Sequence, residues 1–134
     1  MKPILVPTLR YPRAWFCIGL LIAAVVTFYC LLPAERLPQL GIWDKAEHAL
    51  AFGLLAFWFA SVVARWDYLF MMLALVALGG GIEIAQGLMK MGREADIRDF
   101  IADCVGAGLG LALAMTPLVR WPSWLERLLT SRGT

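Results

Sequence analysis

Long apolar runs alternate with short polar breaks along this chain. Residues 14–32 carry no charged side chain over 19 positions, close to the roughly 20 residues a helix needs to cross a bilayer. Three further apolar segments cover 44–64, 68–89 and 97–118, separated by brief breaks at 33–43, 65–67 and 90–96. Peptide groups placed in hydrocarbon find no water to bond, so runs of this length predict helices. The short alternating segments of a membrane barrel are not seen. After Pro117, residues 121–130 set Trp121, Trp124, Leu125 and Leu128 on one face, with Arg120, Arg127 and Arg132 left for water. That pattern predicts a short helix lying in the headgroup region. The expected fold class is all-α, an integral membrane bundle of four transmembrane helices with a C-terminal interfacial helix. A single domain over residues 1–134 is expected.

Composition narrows the function classes. The chain is 61% hydrophobic and 16% charged, with a mean hydropathy of +0.74, against about half apolar and a quarter charged in soluble domains. A chain of 134 residues has too little interior to hide that excess. A soluble enzyme, a nucleic-acid-binding module and a disordered tail are therefore excluded, and a net charge of +2 makes no polyanion-binding surface. Lys2, Arg10 and Arg13 before the first run also resemble the start of a signal peptide. The run exceeds the usual apolar core of about 7–15 residues, and Pro33-Ala34-Glu35 offers no small-x-small cleavage site. Cys17, Cys30 and Cys104 all fall in apolar runs and read as packing residues.

With four spans both termini share one side. That side collects Lys2, Arg10, Arg13, Arg65, Arg120, Arg127 and Arg132, seven of the 12 basic residues, and the other five lie opposite. The positive-inside rule then places the termini in the cytoplasm.

The polar residues inside or beside the spans carry the chemistry. Asp44, Lys45, Glu47 and His48 open the second span, Glu83 and Gln86 lie late in the third, and Arg93, Glu94, Asp96, Arg98, Asp99 and Asp103 lead into the fourth. By alternation all of these fall at one membrane face. Asp44 and His48 are four apart, and Asp96, Asp99, Asp103, Gly106 and Gly110 form one helical stripe. Gly106 and Gly110 make a small-xxx-small pair, and Gly79-Gly80-Gly81 in the third span suggests close contact between the third and fourth helices. A carboxylate at mid-membrane costs roughly 2.5–3.5 kcal/mol, so Glu83 and Asp103 need partners, with Lys45, His48, Arg93 and Arg98 as the cations at hand.

Four readings stay open for this cluster. It is a structural ion-pair network; an oxygen-rich metal site of His48, Glu83, Asp96, Asp99 and Asp103 suited to Mg²⁺, Ca²⁺ or Mn²⁺; an acid–base centre of His48, Glu83 and Asp99; or a headgroup site in which Lys45, Arg93 and Arg98 hold an anion. No compact metal motif is present, so no cofactor is expected, with a divalent cation as the exception the oxygen-rich set allows. Ser61 and Ser123 lie far from the cluster and are not nucleophile candidates.

The segments W-D-K-A-E-H-A-L-A-F, G-I-E-I-A-Q and G-R-E-A-D-I-R-D-F-I-A-D-C-V-G-A-G-L-G, in this order within residues 43–112, resemble the VanZ-like family of small bacterial membrane proteins. Its pattern falls here on Asp44, Lys45, His48 and Phe52; on Glu83 and Gln86; and on Arg93, Asp96, Asp99 and Gly106. Asp103 stands where that pattern has Asn. The resemblance implies a multi-helix bundle in the bacterial inner membrane and a link to low-level resistance against the lipoglycopeptide teicoplanin. The expectation is an outer-face pocket of Asp44, Lys45, His48, Glu83, Gln86, Arg93, Asp96, Asp99 and Asp103 that engages an amphiphile. Such an amphiphile is a lipid-linked precursor or a lipoglycopeptide. The alternative is a membrane-embedded hydrolase or transferase using His48, Glu83 and Asp99 on a lipid headgroup. Expected partners are membrane lipids and that amphiphile, no nucleic acid, with self-association open.

Overall fold

The computed structural model describes residues 4–6, 8–33, 44–89 and 95–131. Among these residues there is no strand, only an isolated bridge between Leu5 and Val63. Five α-helices follow in order: α1 Pro12–Leu31, α2 Asp44–Val62, α3 Tyr68–Met89, α4 Ile97–Leu113 and α5 Trp121–Ser131. Single 3₁₀ turns at Arg65–Asp67 and Pro117–Arg120 join α2 to α3 and α4 to α5.

Local chemistry sets where the helices start and stop. Pro12 opens α1, a position where its missing N–H costs nothing. Asp96 caps α4 by accepting the Arg98 N–H at 2.8 Å, as short acidic side chains do at helix starts. α4 ends at Leu113, short of the 118 that hydropathy suggests, because Pro117 has no N–H to continue it. Thr116 Oγ1 donates to the Leu113 carbonyl at 2.7 Å and accepts the Leu118 N–H at 3.3 Å, opening a new turn. The chain bends by 82° between α4 and residues 117–131.

Backbone and side-chain ties show that successive long helices alternate in direction. At one end, the Val6 N–H donates to the Val62 carbonyl at 2.8 Å and the Trp58 indole donates to the Trp15 carbonyl at 3.1 Å. At the other, the Gln86 amide donates to the Cys30 carbonyl at 2.8 Å and Lys45 meets Asp96 and Asp99. The start of α1, the end of α2, the start of α3 and the end of α4 thus share one end with α5.

α2 is the central helix. Phe52, Leu55, Ala56, Phe59 and Ala60 form the core with Met71, Leu75 and Ile82 of α3 and Ala107 of α4. The glycine pair of α4 packs on α2, where close contact with α3 was expected. A methyl group on Gly106 or Gly110 would strike the carbonyl oxygens of Ala49 and Gly53, respectively. The reason is that α2 offers its own small pair, Ala49 and Gly53, at the same four-residue spacing, so the two backbones can approach. α3 uses Gly79 differently: that residue faces Phe52 and the Asp103 carboxylate.

The outer surface is apolar. Leu69, Phe70, Leu73, Ile84 and Leu88 of α3 and Ile101, Val105 and Leu109 of α4 are all exposed, a surface suited to hydrocarbon rather than water. Two described helical stretches, Pro12–Leu31 and Arg65–Met89, are long and apolar enough to cross a membrane, and a third is reached when α4 and the bent segment after it are taken together. α2 begins with Asp44, Lys45, Glu47 and His48, which lowers its apolarity, and the 17 residues of α4 span only about 25 Å at 1.5 Å per residue.

Candidate functional site

The first turns of α2, the last third of α3 and the start of α4 meet at the end opposite α5. Helical spacing aligns the side chains in two layers. The outer layer is built by Lys45, whose ammonium lies 3.0 Å from Asp96 Oδ2 and 2.6 Å from Asp99 Oδ1. One lysine thus ties α2 to the N-terminal turn of α4. The Arg98 backbone N–H, and then Lys45, hold the Asp96 carboxyl below the usual carboxylate range.

One turn deeper, His48 Nδ1 lies 3.0 Å from Asp103 Oδ1. His48 is 5% exposed and Asp103 1%, so this contact sits in a low-dielectric interior. With Asp103 ionised Nδ1 donates, and in the neutral imidazole Nε2 keeps its lone pair. Glu83 of α3, also buried, accepts the Asp96 backbone N–H on Oε2 at 2.8 Å. The remaining oxygens, Glu83 Oε1 and Asp103 Oδ2, are buried and have no hydrogen-bond partner among the described residues. A buried acceptor left unmatched costs about 1–3 kcal/mol, and more when charged.

The sequence-derived candidates divide accordingly. Lys45, Asp96 and Asp99 come together, as do His48, Glu83 and Asp103. Asp44 also reaches the group, since it, His48 and Asp99 each offer a ligating atom within 4.8 Å of the others. Gln86 is buried, but its amide is committed to the Cys30 carbonyl, which makes it a tie between α3 and α1. Arg93 lies outside the described residues. Of the three acid–base candidates, His48 and Glu83 share the deep layer, while Asp99 sits with Lys45. Asp103, not Asp99, is the carboxylate hydrogen-bonded to His48.

Two features had only faint sequence signals. Ala49 and Gly53, which let α4 close on α2, are visible only as a small pair four residues apart. Gly79, where an added Cβ would lie 2.9 Å from Asp103 Oδ2, is hidden within a run of three glycines.

Chemically, His48, Glu83 and Asp103 offer one imidazole and two carboxylates, a set able to exchange protons or to ligate a cation. The outer layer offers ordered carboxylates with one neutralising lysine. The family model described as VanZ/LLP1 matches residues 18–120 of this chain, most of its length. No curated protein and no solved structure matches it.

Proposed function

The chain belongs to the VanZ/LLP1 family, and from that premise we propose that it is a multi-pass protein of the bacterial inner membrane that engages the polar head of an amphiphile. Four long helices cross, with the termini in the cytoplasm and the polar cluster at the outer face. Apolar exposed flanks, alternating helix direction and the seven-to-five basic bias support this topology. In a variant whose Cys17, Cys30 and Cys104 are replaced by Ala, a cysteine placed at Ser131 stays closed to an impermeant thiol reagent in intact cells and opens on lysis; labelling in intact cells contradicts the orientation.

One observation carries the ligand reading: among the described residues the cluster has an acidic surplus. Asp44, Glu83, Asp96, Asp99 and Asp103 converge with Lys45 and His48, and Lys45 is already shared between two aspartates. That lysine orients carboxylates and is not free to receive a phosphate. The fitting headgroup brings hydrogen-bond donors: hydroxyls, amides or an ammonium group, as on the sugars and peptides of lipid-linked envelope precursors or of a lipoglycopeptide such as teicoplanin. Native mass spectrometry of protein extracted with its own lipids tests this. Wild type carries a discrete added mass, and Asp96→Asn with Asp99→Asn loses it. Equal, unselective lipid binding by both contradicts the reading.

The hydrogen-bonded pair of His48 and Asp103 favours a second reading, in which an aspartate-oriented imidazole acts as general base on a lipid headgroup beside Glu83. In that case His48→Gln retains binding and abolishes turnover of the bound lipid.

A further inference from the structure

We infer that His48, Glu83 and Asp103 form a site for a first-row divalent cation, Mn²⁺ or Zn²⁺, that pins α2, α3 and α4 together. The inference concerns the deep layer and does not require an amphiphile at the outer one.

Three observations bear on it. Each residue offers one ligating atom, and all three atoms lie within 4.8 Å of one another. Donors about 2.0–2.2 Å from one ion stand at most about 4.4 Å apart, so a small closure of the side chains completes the set. The second observation is the pair of unmatched oxygens. Glu83 is 7% and Asp103 1% exposed, and each has one buried oxygen with no partner among the described residues. An ionised carboxylate only accepts, and buried charges are stable when paired or bound to metal. Two carboxylates and a neutral imidazole carry −2, which a divalent ion balances.

The third observation is support around the donors. Glu83 is held in place through Oε2 by the Asp96 backbone N–H at 2.8 Å, as metal-bound carboxylates commonly are. Gly79 leaves Asp103 Oδ2 its room, since a Cβ there would lie 2.9 Å from it. Ion type follows from the donors. Ca²⁺ takes about 6–8 oxygens, whereas one nitrogen and two oxygens with open positions suit Mn²⁺ or Zn²⁺.

The test uses the full chain in detergent, stripped with chelator and dialysed against Mn²⁺ or Zn²⁺ alone. Metal content is measured by mass spectrometry, and bound Mn²⁺ is followed by electron paramagnetic resonance. One ion per chain is expected, with a higher unfolding temperature. Glu83→Gln and Asp103→Asn, checked for retained helix by circular dichroism, each weaken binding by at least about tenfold. Asp96→Asn, in the outer layer, changes it far less. Wild type that takes up no stoichiometric ion overturns the site, as does undiminished binding by the folded Asp103→Asn protein. A wild type that binds the metal but carries no discrete lipid adduct would count against the amphiphile reading alone.

Discussion

The two ends of the bundle use carboxylates in opposite ways. At the α5 end, Glu126 accepts the Arg10 N–H at 2.8 Å, the Tyr11 N–H at 3.0 Å and the Trp15 indole N–H at 2.9 Å. Both of its oxygens are matched, and they cap the start of α1 from a helix over a hundred residues away. Beside it, Trp15, Trp58 and Trp121 pack in tilted and edge-to-face contacts with ring centroids 4.9–5.8 Å apart. At the opposite end, Glu83 and Asp103 each leave an oxygen unmatched among the described residues. One buried oxygen of Asp67 is also unmatched among the described residues, but it stands in a connector and belongs to no ligating group among them. A carboxylate surrounded by N–H donors is a fastening. A carboxylate buried beside another acid and an imidazole, with one of its two oxygens left without a donor among the described residues, is where the proposed ion would bind.

The largest change breaks the seam that holds the acidic end together. Gly106→Ala forces a methyl group against the Ala49 carbonyl, and backbone cannot swing aside as a side chain can. Overpacking of this kind costs up to about 3 kcal/mol or more, so the variant is expected to lose its monodisperse peak in size-exclusion chromatography. A smaller effect follows Lys45→Met, which leaves Asp96 and Asp99 repelling each other at the mouth of the site. The expected loss is modest, since the ion pairs stand partly in solvent, read as a slightly lower unfolding temperature that Asp99→Asn partly restores.

The smallest effect falls on the fastened end and has a pH signature. Burial alone would raise the Glu126 carboxyl, but the Arg10 N–H, the Trp15 indole and the Tyr11 N–H outweigh it and hold the group below its ordinary value. A depressed folded value means the tie is fully present above the unfolded carboxyl range near pH 4.3 and is lost as pH falls through the lower folded value. Acidification therefore loosens α5, and tryptophan emission shifts because Trp121 leaves Trp15 and Trp58. In Glu126→Gln that acid-induced shift disappears.

Much of this was legible in the chain. α1 and α3 follow from uninterrupted apolar runs, and polar residues at the end of α3 and the starts of α2 and α4 converge because direction alternates. What escaped depends on contacts that hydropathy does not encode. The end of α4 turns on the missing N–H of Pro117 and the hydroxyl of Thr116, although the apolar run continues past both. The seam went to α2 because Ala49 and Gly53 match the glycines of α4, a pairing across more than fifty residues. Trp121, expected on a lipid-facing side of the tail, instead packs on two other tryptophans and donates its indole N–H to Ser61 Oγ at 3.1 Å.

The central claim is that the buried carboxylates are held for a ligand at a cost to the fold. Thermal unfolding of wild type and Glu83→Gln in chelator tests it most directly. Glutamine keeps an oxygen for the Asp96 N–H and places an amide donor, in place of a charge, near Asp103. The account predicts that Glu83→Gln unfolds at a higher temperature than wild type in chelator, and that added Mn²⁺ raises wild type but not the variant. A variant that unfolds at a lower temperature under chelator would show that Glu83 serves the fold, and the account would be contradicted.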